Sequence, residues 1–162
     1  MTSTARLGFA LLVSLVLSLP SSTRCAAGPN FVVIMADDLG YGDTSTYGGW
    51  IETPHLDRLA AEGLKFTDFH ASGNVCSPTR AGLLTGRYQQ RAGVPSVINA
   101  DPALDEHYHG LYPAEITFNE PLAKAGYASG LFGKWHLGYT RNFNPLHHGF
   151  DEFRGYEIGA HV

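Results

Sequence analysis

The 162-residue sequence carries 11 Lys and Arg against 15 Asp and Glu, a net charge of -4, and is 44% hydrophobic. That length supports one globular core rather than two, and neither the charge balance nor any basic run points to a nucleic-acid partner. No apolar stretch is long enough for a stable membrane span, and low-complexity segments and internal repeats are absent.

Arg6, an apolar run over 7–19, and then Pro20 and small residues up to Cys25-Ala26-Ala27 predict a cleaved secretory signal over residues 1–27. Its removal leaves Cys76 alone in an oxidising compartment. A lone secreted thiol is either an inert buried cysteine or one consumed by chemistry, and the polar motif around Cys76 favours the second.

Phe31-Val32-Val33-Ile34-Met35-Ala36 is a continuous β-rich apolar run, expected as a central strand buried on both faces, with Asp37 and Asp38 at its carboxyl end. Thr53-Pro54 starts a helix through Leu56, Leu59 and Ala60 that Gly63 stops, and 64–69 is expected to return as a strand. This alternation is that of an α/β fold.

In Cys76-Ser77-Pro78-Thr79-Arg80, Ser77 suits a helix N-cap and Pro78 the first helical position, so Cys76 is expected just outside the helix. Leu83 and Leu84 supply its inward face and Gly86 its stop. Arg80 stands at the wrong end of the helix dipole, a placement that makes more sense with an anion in front of it.

Residues 93–115 read as a loop, because Pro95, Pro102, Gly110 and Pro113 interrupt regular structure. Thr117-Phe118-Asn119-Glu120 has the form of a capping box before a helix that ends at Gly126. Residues 127–136 read as a strand, in which Lys134 and His136 share a face and can converge on one ligand beyond the strand's carboxyl end.

Asp37 and Asp38 alone fit a strand-ending turn before Gly40 and Gly42 more readily than a site for a hard cation, since such turns are common. His147 and His148 are read as structural rather than as zinc ligands, since no further His or Cys lies at ligand spacing.

The ordered set resembles the type I, formylglycine-dependent sulfatases of the alkaline phosphatase superfamily. The likeness rests on Cys76-Ser77-Pro78-Thr79-Arg80 with its Thr85-Gly86-Arg87 tail. It extends to residues 30–43, to Gly133-Lys134-Trp135-His136-Leu137-Gly138, and to 148–153, and so covers nearly all of 29–156. Thr79 stands where the family more usually has serine.

The resemblance implies a partial alkaline-phosphatase-like α/β sandwich, with a mainly parallel central sheet and helices on both faces, over residues 28–162. It implies that a formylglycine-generating enzyme oxidises Cys76 to an aldehyde. In the hydrated aldehyde one hydroxyl would attack the sulfur of a sulfate ester and the other would expel sulfate as the aldehyde re-forms. Cys76, Arg80, Lys134 and His136 would be catalytic: Arg80 holds the modified side chain, Lys134 binds sulfate oxygen and His136 takes the proton. Asp37, Asp38 and the modified Cys76 would contact a divalent cation, Ca2+ ahead of Mg2+.

The family's later part supplies a further Asp, an Asn or Gln, a His and a Lys that this chain does not contain, so it is read as the N-terminal portion of a sulfatase. Expected substrates are sulfated small molecules or glycans, in a secreted, periplasmic or lysosome-like setting. The competing readings are a phosphonate or phosphate monoester hydrolase of the same superfamily and a non-catalytic fragment that binds sulfated glycans.

Overall fold

The computed structural model describes residues 28–157. The expected signal over 1–27 lies outside the described residues. The chain divides into two units, Met1–Ala36 and Asp37–Val162.

In the described part of the first unit, the expected buried strand over 31–36 does not form. Val32 is 81% exposed and Ile34 88%. A strand buried on both faces needs sheet neighbours on either side, and among the described residues the one sheet contains only two strands, both from the end of the chain.

The second unit opens with a short loop tied by side chains. Asp57 accepts from the Ser45 hydroxyl at 2.7 Å and the Thr46 hydroxyl at 2.6 Å. Asp57 lies in the first turn of α1 (Pro54–Glu62), which starts at the expected proline. Residues 64–69, expected as a strand, are irregular. Side chains use this segment instead: Lys65 donates to the Thr46 carbonyl at 3.0 Å and the Tyr41 hydroxyl to the Thr67 carbonyl at 3.4 Å.

Helix α2 (Cys76–Thr85) begins two residues earlier than its sequence signals imply. Val75 is its N-cap and Cys76 its first residue, so Ser77 and Pro78 fall inside the first turn. Proline is tolerated there because the first four amides have no partner within the helix. Ser77 cannot cap, since its fully buried hydroxyl accepts from the Ile98 amide at 3.2 Å. The inward face is Ser77, Pro78, Ala81 and Leu84, whereas Leu83 is exposed. Gly86 ends the helix at φ 64°, in the left-handed region that favours glycine, and its amide bonds the Gly82 carbonyl.

The loop after α2 is a strap with one short 3-10 turn, Asp105–Tyr108. Its Ala92, Val94, Ile98 and Leu111 join Ala81, Leu84, Trp135, Leu137 and Phe150 in the buried core. Arg87 grips both oxygens of the largely buried Glu115 at 2.7 Å, fastening the end of the strap to the end of α2. The Phe118 amide donates to the Leu84 carbonyl at 2.8 Å.

Helix α3 (Asn119–Lys124) keeps half of the expected capping box: Glu120 accepts from the Thr117 amide at 3.0 Å. The reciprocal half is missing, because the Thr117 hydroxyl donates to the His148 carbonyl at 2.8 Å.

Strands β1 (Gly130–Lys134) and β2 (Glu152–Tyr156) pair in parallel, with Leu131 opposite Phe153 and Lys134 opposite Tyr156. The expected strand over 127–136 is therefore trimmed at both ends. His136 lies beyond it at φ 55°, so its direction is set by a left-handed turn and not by strand alternation. Trp135 lies between them, 1% exposed, with its indole N–H on the Phe143 carbonyl at 2.7 Å.

His148 is 1% exposed beside the Trp135 ring, as a structural residue should be, while His147 is exposed. Burial foremost, against the nearby Glu120 charge, pulls the His148 pKa below the ordinary histidine value.

Truncating Trp135 should destabilise the protein by about 3–5 kcal/mol, read by chemical denaturation of Trp135→Ala. A histidine kept neutral in the fold but free to protonate when unfolded means that the unfolded chain binds more protons in acid. Stability should thus be full above about pH 6.5 and fall as pH drops below it. Melting midpoints from pH 7 to 5 should show this slope, shallower in His148→Phe.

Candidate active site

The site is built where the mouth of α2 meets the end of β1. Cys76 is a free, half-buried thiol at the first position of α2. Arg80 is four residues on and so shares its helix face. The Lys134 side chain hydrogen-bonds Asp37 and lies near enough to Cys76 for the two to interact electrostatically.

Lys134 Nζ lies 2.7 Å from Asp37 Oδ2, and the lysine side chain is only 5% exposed. Arg80 Nη1 donates to the Lys134 carbonyl at 2.7 Å. Arg80 Nη2 lies 3.5 Å from Asp37 Oδ1, a looser contact than the lysine pair. One carboxylate thus joins two cations from different elements, and one of those cations also holds the backbone of the other. The anion that the placement of Arg80 calls for is the protein's own Asp37.

These contacts set the protonation states. The Lys134 hydrogen bond foremost, opposed by burial and helped by the Lys134 and Arg80 charges, holds the Asp37 carboxyl below its ordinary value. Burial works against the Lys134 ammonium, but the Asp37 hydrogen bond and the nearby Cys76 outweigh it and raise its pKa. Lys134 is thus a fixed cation at the thiol.

His136 is 2% exposed, with Nε2 2.9 Å from the Ile98 carbonyl. Burial foremost, against that hydrogen bond and aided by the charges of Lys134 and Arg80, lowers its pKa and keeps the ring neutral. Its Nδ1 and Arg80 Nε are buried with no hydrogen-bond partner among the described residues.

A calcium ion fits less well. Asp37 is already engaged by Lys134 and Arg80, and Asp38 is exposed in a left-handed conformation at φ 58°. Among the described residues no group of three or more His, Cys, Asp or Glu could hold a metal ion. Against the roughly six to eight oxygens that Ca2+ takes, these donors do not make a site by themselves.

Cys76, Arg80, Lys134 and Asp37 are therefore brought together, His136 stands close enough to feel the two cations, and Asp38 stays outside this network. Sequence reasoning missed Ile98, whose contribution is a carbonyl that no side chain advertises, and took Ser77 for a cap. It also missed His107, stacked on Tyr139 at 5.1 Å between ring centres and 4° between planes, with Tyr139 6.2 Å from His136.

No helix among the described residues is long and apolar enough to cross a membrane. The family model described as Sulfatase matches residues 29–161. Steryl-sulfatase of Rattus norvegicus is 46% identical over 142 residues, which cover 83% of this chain and 25% of that protein. Arylsulfatase A of Bos taurus is 46% identical over 146 residues, covering 88% of this chain and 28% of its own length. The crystal structure of Ps i-CgsB is 36% identical with a TM-score of 0.71, over 80% of this chain and 28% of that one.

The chain spans about a quarter of the length of the curated relatives it matches. Its α/β fold, with a parallel strand pair following a cysteine-led helix, is that of part of a solved relative. Since both the family model and relatives well above 30% identity run through the Cys76, Lys134 and His136 segments, the chain belongs to the sulfatase family.

Proposed function

We propose that the protein hydrolyses sulfate esters, with Cys76 as the precursor of its nucleophile. The observation that carries this reading is the single network of Cys76, Lys134, Asp37 and Arg80 at the mouth of α2. A thiol near a largely buried ammonium is a place where an anionic ester can be bound and its developing charge met. Converted to formylglycine, Cys76 would supply a geminal diol, one hydroxyl for attack on sulfur and a second for release of sulfate.

The other roles follow from charge and position. Lys134, cationic and almost fully buried, would bind a sulfate oxygen and gain strength from the low local dielectric. Arg80, anchored through the Lys134 carbonyl, would orient the modified side chain at its own helix face. His136, held neutral, would accept a proton as sulfate leaves. Asp37 would keep the two cations in register.

Asp37 and Asp38 would serve a divalent cation only with further oxygen donors from beyond the described residues, and no step here depends on one. Secretion after loss of residues 1–27 belongs to the same reading, supported by their positive-then-apolar pattern.

Mass spectrometry of the tryptic peptide over residues 66–80 should find an aldehyde in place of the Cys76 thiol. Turnover of an aryl sulfate should vanish in Cys76→Ala, and in Lys134→Met kcat/KM should fall about 10²–10³-fold. An unmodified thiol together with unaltered turnover in Cys76→Ala would overturn the reading. Faster cleavage of an aryl phosphonate than of the sulfate would move it to phosphoryl substrates.

A further inference from the structure

His136 is reached by a short relay that starts beside the nucleophile. The Ser77 hydroxyl, fully buried next to Cys76, accepts from the Ile98 amide at 3.2 Å. The carbonyl of the same residue meets His136 Nε2 at 2.9 Å. Ile98 is itself 2% exposed within the core, so neither end of the relay has room to drift.

A carbonyl oxygen carries no proton, so this contact is a hydrogen bond only if Nε2 bears the hydrogen. In a neutral imidazole the lone pair then lies on Nδ1. Of the two ring nitrogens of His136, Nδ1 is the one buried without a hydrogen-bond partner among the described residues. The left-handed backbone at His136 is a strained conformation for a non-glycine residue, and it persists where the surroundings hold the ring.

We infer that Ser77 and Ile98 are positioning residues that lock His136 in its Nε2–H tautomer and make Nδ1 the atom that accepts the proton. The chemical use of that proton transfer rests on the sulfatase reading above, whereas the tautomer does not. The balance is simple: a hydroxyl O–H breaks, an Nδ1–H bond forms, and the ring becomes imidazolium. The residue between Cys76 and Pro78 therefore acts on the base and not on the helix end.

The test is long-range 1H–15N correlation of the histidine rings in the labelled protein, with His136 assigned by its loss in His136→Gln. The expected wild-type pattern is a protonated Nε2 and an unprotonated Nδ1. In Ser77→Ala the tautomers should mix, and kcat for an aryl sulfate, normalised to the formylglycine content of Cys76, should fall about tenfold with KM little changed. Ser77→Thr, which restores a hydroxyl, should recover both signals. A wild-type ring protonated on Nδ1, or a folded Ser77→Ala with unchanged tautomer and kcat, would overturn the inference. A locked Nε2–H tautomer that mixes in Ser77→Ala, in a protein that cleaves no sulfate ester, would support the positioning role while sinking the proposed activity.

Discussion

The Asp37 carboxylate is the contact on which the site depends. Lys134 comes from the end of β1 and Arg80 from the start of the second turn of α2, and two cations this close to a half-buried thiol would repel each other without an anion. Asp37 removes that conflict and also sets their spacing, one oxygen to each. The lysine side chain is only 5% exposed but the carboxylate is 43% exposed, so deleting the carboxylate would leave the ammonium to be met by water reaching in from the Asp37 side. The same pairing explains how Arg80 can sit at a helix N-terminus that disfavours cations.

The strap over 93–115 has a comparable role on the other side of the site. Its apolar residues fill the core, so it is held as firmly as a regular element although it contains only one short 3-10 turn. Backbone contacts reinforce it: the Leu111 amide donates to the Leu137 carbonyl at 2.9 Å and the Tyr112 amide to the Ala92 carbonyl at 3.1 Å. That rigidity lets the two polar groups of a single residue, Ile98, reach Ser77 and His136 together. A site whose members lie near positions 37, 76–80 and 134–136 is thus braced by a segment that carries none of its reacting groups.

Much of the local structure was legible in the residues. Pro54 opens α1, Gly86 closes α2 in the left-handed conformation, and the strand ahead of Trp135 is present in shortened form. The failures share one cause. Residues 31–36 and 64–69 have strand composition, but a strand exists only when its amides and carbonyls find a neighbour, and composition does not say whether one is at hand. The misplaced cap on α2 has a related origin: a serine hydroxyl suits a helix end, yet the Ile98 amide claims it.

The sequence by itself determined the residue types of the site and the family they belong to, because a thiol, a proline and an arginine at fixed spacing are written in side chains. It also determined where turns and helix ends could fall, since proline and glycine restrict the backbone wherever they stand. Only the tertiary structure decided which atoms meet: that Asp37 pairs with both Lys134 and Arg80, that Arg80 grips a carbonyl of β1, and that the Ile98 carbonyl meets His136. Two of those contacts end on backbone carbonyls, which every residue possesses and no sequence position announces. Their choice rests on how the core packs, and it is the packing of Ile98, Leu111 and Trp135 that brings the strap, the helix and the strand end to one place.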